Sequence, residues 1–402
     1  MGLFSFFKKP PSAGKVVTGP YADSLSILFT KLFYQETMDR QNQGNKVFKK
    51  HIFIKMKFLI TLTTILFLFQ SCGPAKQSSS SDGKALILPE LQGAEKWFTA
   101  WEFVSREIYN IHTAKPVDFI FFDTTYVYST SLISIPDGES IDGPVFFNEK
   151  LTWKKKPHNG RIKLPNEQVV PVGLMSFASP GANDQANAFF VMPLPDFWKK
   201  AGVESKELGL ENLVTGVFLH EFSHSQQMQN FGKKISEYEN RAKYKVDFSD
   251  DIVQDYFEKD SVYNAKFRNE VAVFYDAAVA NDKSMQIDLI IKGIKMLKLR
   301  QDEYFTDSLN LFREIDDFFL TMEGLGQYTM YAWLVHPRGG NIAAETALKG
   351  VRRGGRSWSQ EEGLSLLLLL DKLYRSSQWA AQMFGNETIS VVELIRRKLS
   401  ER

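Results

Sequence analysis

Apolar positions along the chain follow two rhythms, and the change between them divides the protein. In 90–112 (ELQGAEKWFTAWEFVSREIYNIH), Trp97, Trp101, Val104 and Ile108 recur at three- and four-residue steps, which predicts a helix with one packed face. The next stretch, VDFIFFDTTYVYST at 117–130, is rich in aromatic and β-branched residues and reads as strand. Further strand candidates fall at 144–148, 168–177 and 187–192, separated by turn-forming clusters such as ASPGAND. From about 208 onward the spacing turns helical, in segments 208–230, 250–281, 284–301, 305–335, 360–383 and 389–400. The expectation is an α+β layout, a small mixed β-sheet followed by a mainly helical bundle.

Three stretches need a closer reading. The run LSLLLLLD at 364–371 is too short to span a bilayer and is expected to be a core helix. The basic cluster RRGGR at 352–356 contains two glycines and reads as a solvated loop. Segment 187–194 (NAFFVMPL) is either an edge strand able to pair with an extended peptide, or an interior strand ended by Pro193 and Pro195.

Composition narrows the class. The chain has 402 residues, 44 % hydrophobic and 24 % charged, enough for a large core of ordinary globular type. With 49 basic against 47 acidic residues the net charge is +2, so nothing in the charge favours nucleic acid as a partner. A single cysteine, Cys72, excludes an intrachain disulfide and a multi-thiolate metal site.

The surroundings of that cysteine are informative. Lysines at 49, 50, 55 and 57 precede an apolar stretch over 58–69, then Gln70, Ser71 and Cys72. A basic start, a short apolar run and a small residue before the cut make a secretory signal. The ending FQSCG resembles a bacterial lipoprotein signal, which implies lipidation at Cys72 and a place in the bacterial cell envelope, as an outer-membrane or periplasm-facing lipoprotein. On this reading 56–72 is the signal segment and 73–84 (GPAKQSSSSDGK) a flexible tether. Residues 1–55 form an unassigned extension preceding Met56, and the folded domain spans 85–402.

The chemistry concentrates in VFLHEFSHSQQ at 217–227. Residues four apart share a face only on a helix, and LENLVTGVFLHEFSHSQQMQNFG supplies one, with Val214, Val217, Leu219 and Phe222 for packing and Gly232 as the expected C-cap. His220 and His224 can then present imidazole nitrogens to one Zn²⁺, with Glu221 placed to act as general base on a zinc-activated water. A third ligand is required. Residues 227 and 230 are Gln and Asn, so a third histidine at those positions is absent and a carboxylate must serve.

Two carboxylates are candidates. Glu323 lies in FFLTMEGLGQYTMYAWL, which resembles the E-G-[FL]-A-x-Y segment of the gluzincin metallopeptidases, with Gly326 where alanine is usual. The resemblance implies a zincin-like catalytic bundle and makes Glu323 the preferred third ligand. Glu270 lies in RNEVAVFYDAAVA, which resembles the ligand helix of repressor-cleaving bacterial metallopeptidases. One of the two acids would bind the metal and the other stand behind it. The glycines beside Glu323 point to close approach of a backbone or ligand. Tyr328, Tyr331 or His336 could donate to a developing oxyanion, Tyr328 being the candidate carried forward, and Asp276 could orient an imidazole.

The reading that results is a zinc metallopeptidase cleaving a peptide or protein substrate, tied to a membrane by its lipid anchor. The alternative is a non-catalytic lipid-anchored binding or scaffold lipoprotein whose HExxH is degenerate or only binds metal. The anchor has its own check: Cys72→Ser should move the protein from the membrane fraction to the soluble one, and unchanged fractionation would refute lipidation.

Overall fold

The computed structural model describes residues 87–183, 185–241 and 244–401. Cys72, the signal segment, the tether and the extension lie outside them. The architecture is α+β, with a mixed sheet in the N-terminal part and a mainly helical remainder.

Helix α1 (Gln92–Phe103) runs into a π-turn at Val104–Ile108 and stops before Asn110, which adopts positive φ. The sheet follows: β1 (Val117–Phe122), β2 (Tyr126–Ser129), β3 (Glu139–Ile141), β4 (Val145–Phe146), β5 (Glu149–Lys150), β6 (Trp153–Pro157), β7 (Arg161–Lys163), β8 (Val169–Pro171), β9 (Phe177–Ser179) and β10 (Ala188–Pro193). The six-stranded sheet has the order β3-β6-β2-β1-β10-β9. Only β1 and β10 pair in parallel, with Phe119 opposite Phe190. β4–β5 and β7–β8 are separate two-stranded ribbons.

The apolar run of β1 follows from its burial on both faces. Phe119 and Phe121 join Tyr128, Trp153, Phe190 and Met192 in the main core, while Ile120 and Phe122 join Val127, Phe189 and Val191 under the β7–β8 ribbon. β10 is therefore an interior strand, and the edge on its side is β9. Strands β3 and β6 fall outside the sequence-based candidates. WKKKP hides β6 because its lysines cover apolar surface with their stems: Lys155 lies 4.1 Å from the Tyr126 ring centroid.

The helical part comprises α2 (Pro195–Lys200), α3 (Leu210–Gln226), α4 (Lys233–Arg241), α5 (Ile252–Phe257), α6 (Ser261–Val279), α7 (Lys283–Tyr304), α8 (Phe312–Val335), α9 (Ala344–Val351), α10 (Trp358–Leu373), α11 (Ser376–Met383) and α12 (Val391–Ser400). Two expected long helices are broken. Asp260 ends the first part of 250–281 and caps α6, accepting from Val262 N and Tyr263 N at 2.9 and 3.0 Å. Asp371 does similar work between α10 and α11, accepting from Ser376 N at 2.9 Å. Gly232 is not a C-cap: it closes a π-turn at Met228–Gly232 that leads directly into α4. The leucines of 364–370 are core, as expected, and among the described residues no helix is long and apolar enough to cross a membrane.

Helix α3 is buried around its whole circumference from Leu213 to Gln226. Aromatic pairs fix it against α1 and the sheet, with Trp97 to Phe218 at 5.5 Å and Trp101 to Phe222 at 4.9 Å between centroids. Its other side meets α8, which also packs on α10. That second crossing is as close as backbones allow: a Cβ on Gly324 would stand 2.5 Å from the Gly363 carbonyl carbon. Because the obstacle is main chain, no rotamer change relieves it. Gly324→Ala should cost about 2–3 kcal/mol, whereas Gly173→Ala, with nothing within 4 Å of the added carbon, should stay within about 0.5 kcal/mol. Urea unfolding of both variants measures the difference, and equal stabilities would refute the crossing.

Candidate metal centre

The centre is assembled from two helices. α3 carries His220 and His224 one turn apart, and α8 brings Glu323 across from them. His220 Nε2 lies 3.3 Å from Glu323 Oε2, His224 Nε2 lies 3.3 Å from Glu323 Oε1, and the two Nε2 atoms are 3.1 Å apart. Two imidazole nitrogens and the two oxygens of one carboxylate thus face one another. Among the described residues these three form the only set of His, Cys, Asp or Glu side chains close enough together to hold a metal ion.

Glycine makes the approach possible. A Cβ on Gly326 would stand 2.7 Å from Nδ1 of His220 and 2.8 Å from Cγ and Cε1, so the ring lies flat on the α8 backbone. On the opposite contact, a Cβ on Gly216 would meet the Met330 side chain at 2.6 Å. The Nδ1 atoms of both imidazoles are buried without a hydrogen-bond partner. Packing therefore sets the position of the His220 ring. Gln227, fully buried, is the polar side chain beside His224.

The electrostatics are those of a donor cluster in a dry setting. His220, Glu221, His224 and Glu323 keep 3, 6, 4 and 2 % of their surface exposed. Burial works against charge on Glu323, but the His224 charge and hydrogen bonds from both imidazoles outweigh it and hold the carboxyl at about 2. Burial lowers His220 to about 4. Burial also disfavours charge on His224, yet the nearby Glu323 carboxylate wins and raises it. Glu221 is pushed up to about 8 by burial, with Glu323 adding to the effect and His224 and Arg353 opposing it.

Behind Glu323 stands a layer of polar groups. Gln360 Nε2, on α10, donates to Glu323 Oε2 at 3.2 Å, and Gln360 Oε1 accepts from Arg353 Nε at 2.5 Å and from Gln327 Nε2 at 2.6 Å. RRGGR is a solvated loop as expected, with Arg352, Gly354, Gly355 and Arg356 exposed and Arg353 half-buried, but its first two arginines also reach inward contacts. Arg352 lies 3.8 Å from the Tyr275 ring centroid and donates to buried Glu361 at 2.6 and 2.9 Å. Glu361 also accepts from the backbone of Arg353 and Gly354 at 2.6 and 3.2 Å, fixing a turn in which Gly354 and Gly355 have positive φ. Burial and neighbouring Arg356 lower Arg353 to about 10, so it stays cationic at neutral pH beside the centre. The available signal was WSQEEG, a polar run inside an otherwise apolar helix.

The remaining candidates go elsewhere. Both oxygens of Glu270 are taken by Arg300, from Nη2 at 2.9 Å and Nε at 3.1 Å, so Glu323 is the acid that meets the imidazoles. Tyr328, though only five residues from Glu323, turns its hydroxyl to Asp371 and Ser376. Tyr331 is half-buried in the field of the same Asp371. His336 caps its own turn, accepting from Arg338 N at 3.1 Å, and packs on Phe103. Asp276 is exposed on α6. Five residues from Glu323 on a helix is well off its face, which explains why Tyr328 points away.

Glu323→Gln should lower bound-metal content at least about tenfold, since ligand and outer partners each matter at that scale. Glu270→Gln should leave it unchanged while lowering the unfolding temperature, because Arg300 then loses a buried counter-charge. Metal analysis beside thermal unfolding reads both, and metal loss in the Glu270 variant alone would reverse the assignment. In comparisons with known proteins, no family model, no curated protein and no solved structure matches this chain.

Proposed function

We propose that the chain is a zinc-dependent hydrolase that cleaves peptide bonds with Glu221 as general base. The donor set supports zinc: two imidazoles and a carboxylate without thiolate are a ligand set typical of catalytic zinc. Tetrahedral zinc with bonds of ~2.0–2.1 Å spaces its ligand atoms by roughly 3.3–3.4 Å; here the two nitrogens stand 3.1 Å apart and each lies 3.3 Å from one of the two Glu323 oxygens. His220, His224 and Glu323 would hold the ion, which when bound polarises a carbonyl and acidifies a water.

The observation that carries catalysis is Glu221. Its carboxylate is buried beside His220, yet it accepts no hydrogen bond from the described residues. A carboxylate kept in such a place without a donor is costly, and a purely structural ion held by three other side chains gives it no role. As a base it takes a proton from the attacking water and returns it to the leaving amine. Arg353 adds positive field to the same space. Amide over other acyl substrates rests on the resemblance of the 323–328 segment to gluzincins.

A second reading has its own support. The four residues are nearly sealed, with 2–6 % exposure, as in a site that only binds metal in a non-catalytic scaffold. Glu221→Gln separates the two. The enzyme reading expects zinc to stay at one equivalent while hydrolysis of a mixed peptide library falls by at least about a hundredfold, the usual contribution of a general base. Equal cleavage by parent and variant, or none by either when zinc-loaded, would leave the scaffold reading.

A further inference from the structure

Arg300, buried at the C-terminal half of α7, carries more acid than it neutralises. Its guanidinium bonds Glu270, Glu362 at 3.0 Å and Asp316 at 3.5 Å, and also the Tyr263 hydroxyl. Together with five apolar side chains, Arg300 lines a cavity of about 10 Å³ whose other polar lining residues are Asp250, Asp251, Gln254, Asp316, Ser359 and Glu362. Four of those six are acids.

Asp250 is the telling member. It is 3 % exposed, and neither carboxylate oxygen has a side-chain partner among the described residues. Asp251, next to it, receives only a long bond from Ser359 Oγ at 3.4 Å. Burial raises Asp250, Asp251, Asp316 and Glu362; Asp251 and Glu323 add to it at Asp250, Glu323 and Asp255 at Asp251, and Glu270 at the other two, where Arg300 opposes it. Burying a carboxylate with no partner is unfavourable, and either a proton or a bound cation relieves it.

Size and donor type define the ligand. About 10–15 Å³ holds one water-sized body, which excludes an ammonium or guanidinium on a side chain. The candidate ligand atoms are carboxylate, hydroxyl and amide oxygens, the preference of hard cations, and the one guanidinium in the wall, Arg300, is shared among Glu270, Asp316 and Glu362. Mg²⁺ keeps several waters, for which the cavity has no room, whereas Ca²⁺ sheds them readily. No three of these acids converge as His220, His224 and Glu323 do, so the adjacent pair Asp250–Asp251 carries the ion and neutral oxygens complete the shell.

We propose that the Asp250–Asp251 corner binds one Ca²⁺, which neutralises the cavity and ties the segment preceding α5 to α10 through Ser359. This site is separate from the metal centre and does not depend on the hydrolase reading. The test uses the full chain, stripped of metal and reloaded with one equivalent of zinc, with zinc content measured in every sample. Addition of Ca²⁺ should raise the unfolding temperature by a few degrees, with a smaller effect of Mg²⁺. Tb³⁺ should bind at one equivalent, with emission sensitised by Trp358 in the cavity wall and quenched by competing Ca²⁺. Asp250→Asn should abolish both responses while being more stable than the parent in chelator, since it removes an unpaired charge. Asp251→Asn, the second variant, should weaken Tb³⁺ binding at least tenfold. No Ca²⁺-dependent shift and no saturable Tb³⁺ signal in the parent would overturn the proposal, as would an unaltered response in both variants.

Discussion

Everything at the centre depends on how closely α8 approaches α3. The His220 ring rests on the backbone at Gly326, at a distance no β-carbon would permit. With that contact in place, Glu323, nearly one turn earlier on α8, reaches both imidazole nitrogens at once. Behind the carboxylate, the Gly324–Gly363 crossing lets α10 come near enough for Gln360 to hold it. The glycines thus act on geometry: each removes a side chain where two helices must nearly touch, and interiors packed at crystal-like density transmit such placements over short distances.

Helix α10 distributes the consequences. Three consecutive residues at its start serve three different clusters, because successive positions on a helix point about 100° apart. Gln360 faces Glu323, Glu361 anchors the arginine turn through Arg352, and Glu362 faces Arg300. Helix α8 is used in a similar way. Asp316 and Glu323, seven residues or two turns apart, share a face, one serving Arg300 and the other the imidazoles. The two buried polar clusters are therefore joined by rigid elements rather than by loops. Replacing an acid in one of them leaves the other's frame standing.

Much of this was legible from residue order, and the gaps have physical causes. The α+β layout followed from the change of period near residue 208, since a strand and a helix bury faces at different intervals. The histidine pair was legible because i and i+4 on one helix must share a face. The preference for Glu323 over Glu270 came only from the resemblance of its segment, since both acids sit in apolar helices and residue pattern alone does not separate them. Arg300, which claims Glu270, is one of several basic residues on α7 whose others are exposed. Strand β6 was hidden by its lysines, of which Lys155 lies along the Tyr126 and Tyr128 rings, and the role of Arg353 by two glycines that read as solvent-facing. Tyr328 failed because resemblance carries a residue along the chain but not around the helix.

The central claim is that two imidazoles and one carboxylate hold a single ion with a position left for water. X-ray absorption at the zinc edge of the zinc-loaded protein tests it most directly. The account predicts one equivalent of zinc in a four-coordinate nitrogen and oxygen shell at ~2.0–2.1 Å, with outer scattering from two imidazoles and none from sulfur. A protein that takes up no zinc under excess, or zinc whose spectrum carries no imidazole scattering, would contradict it.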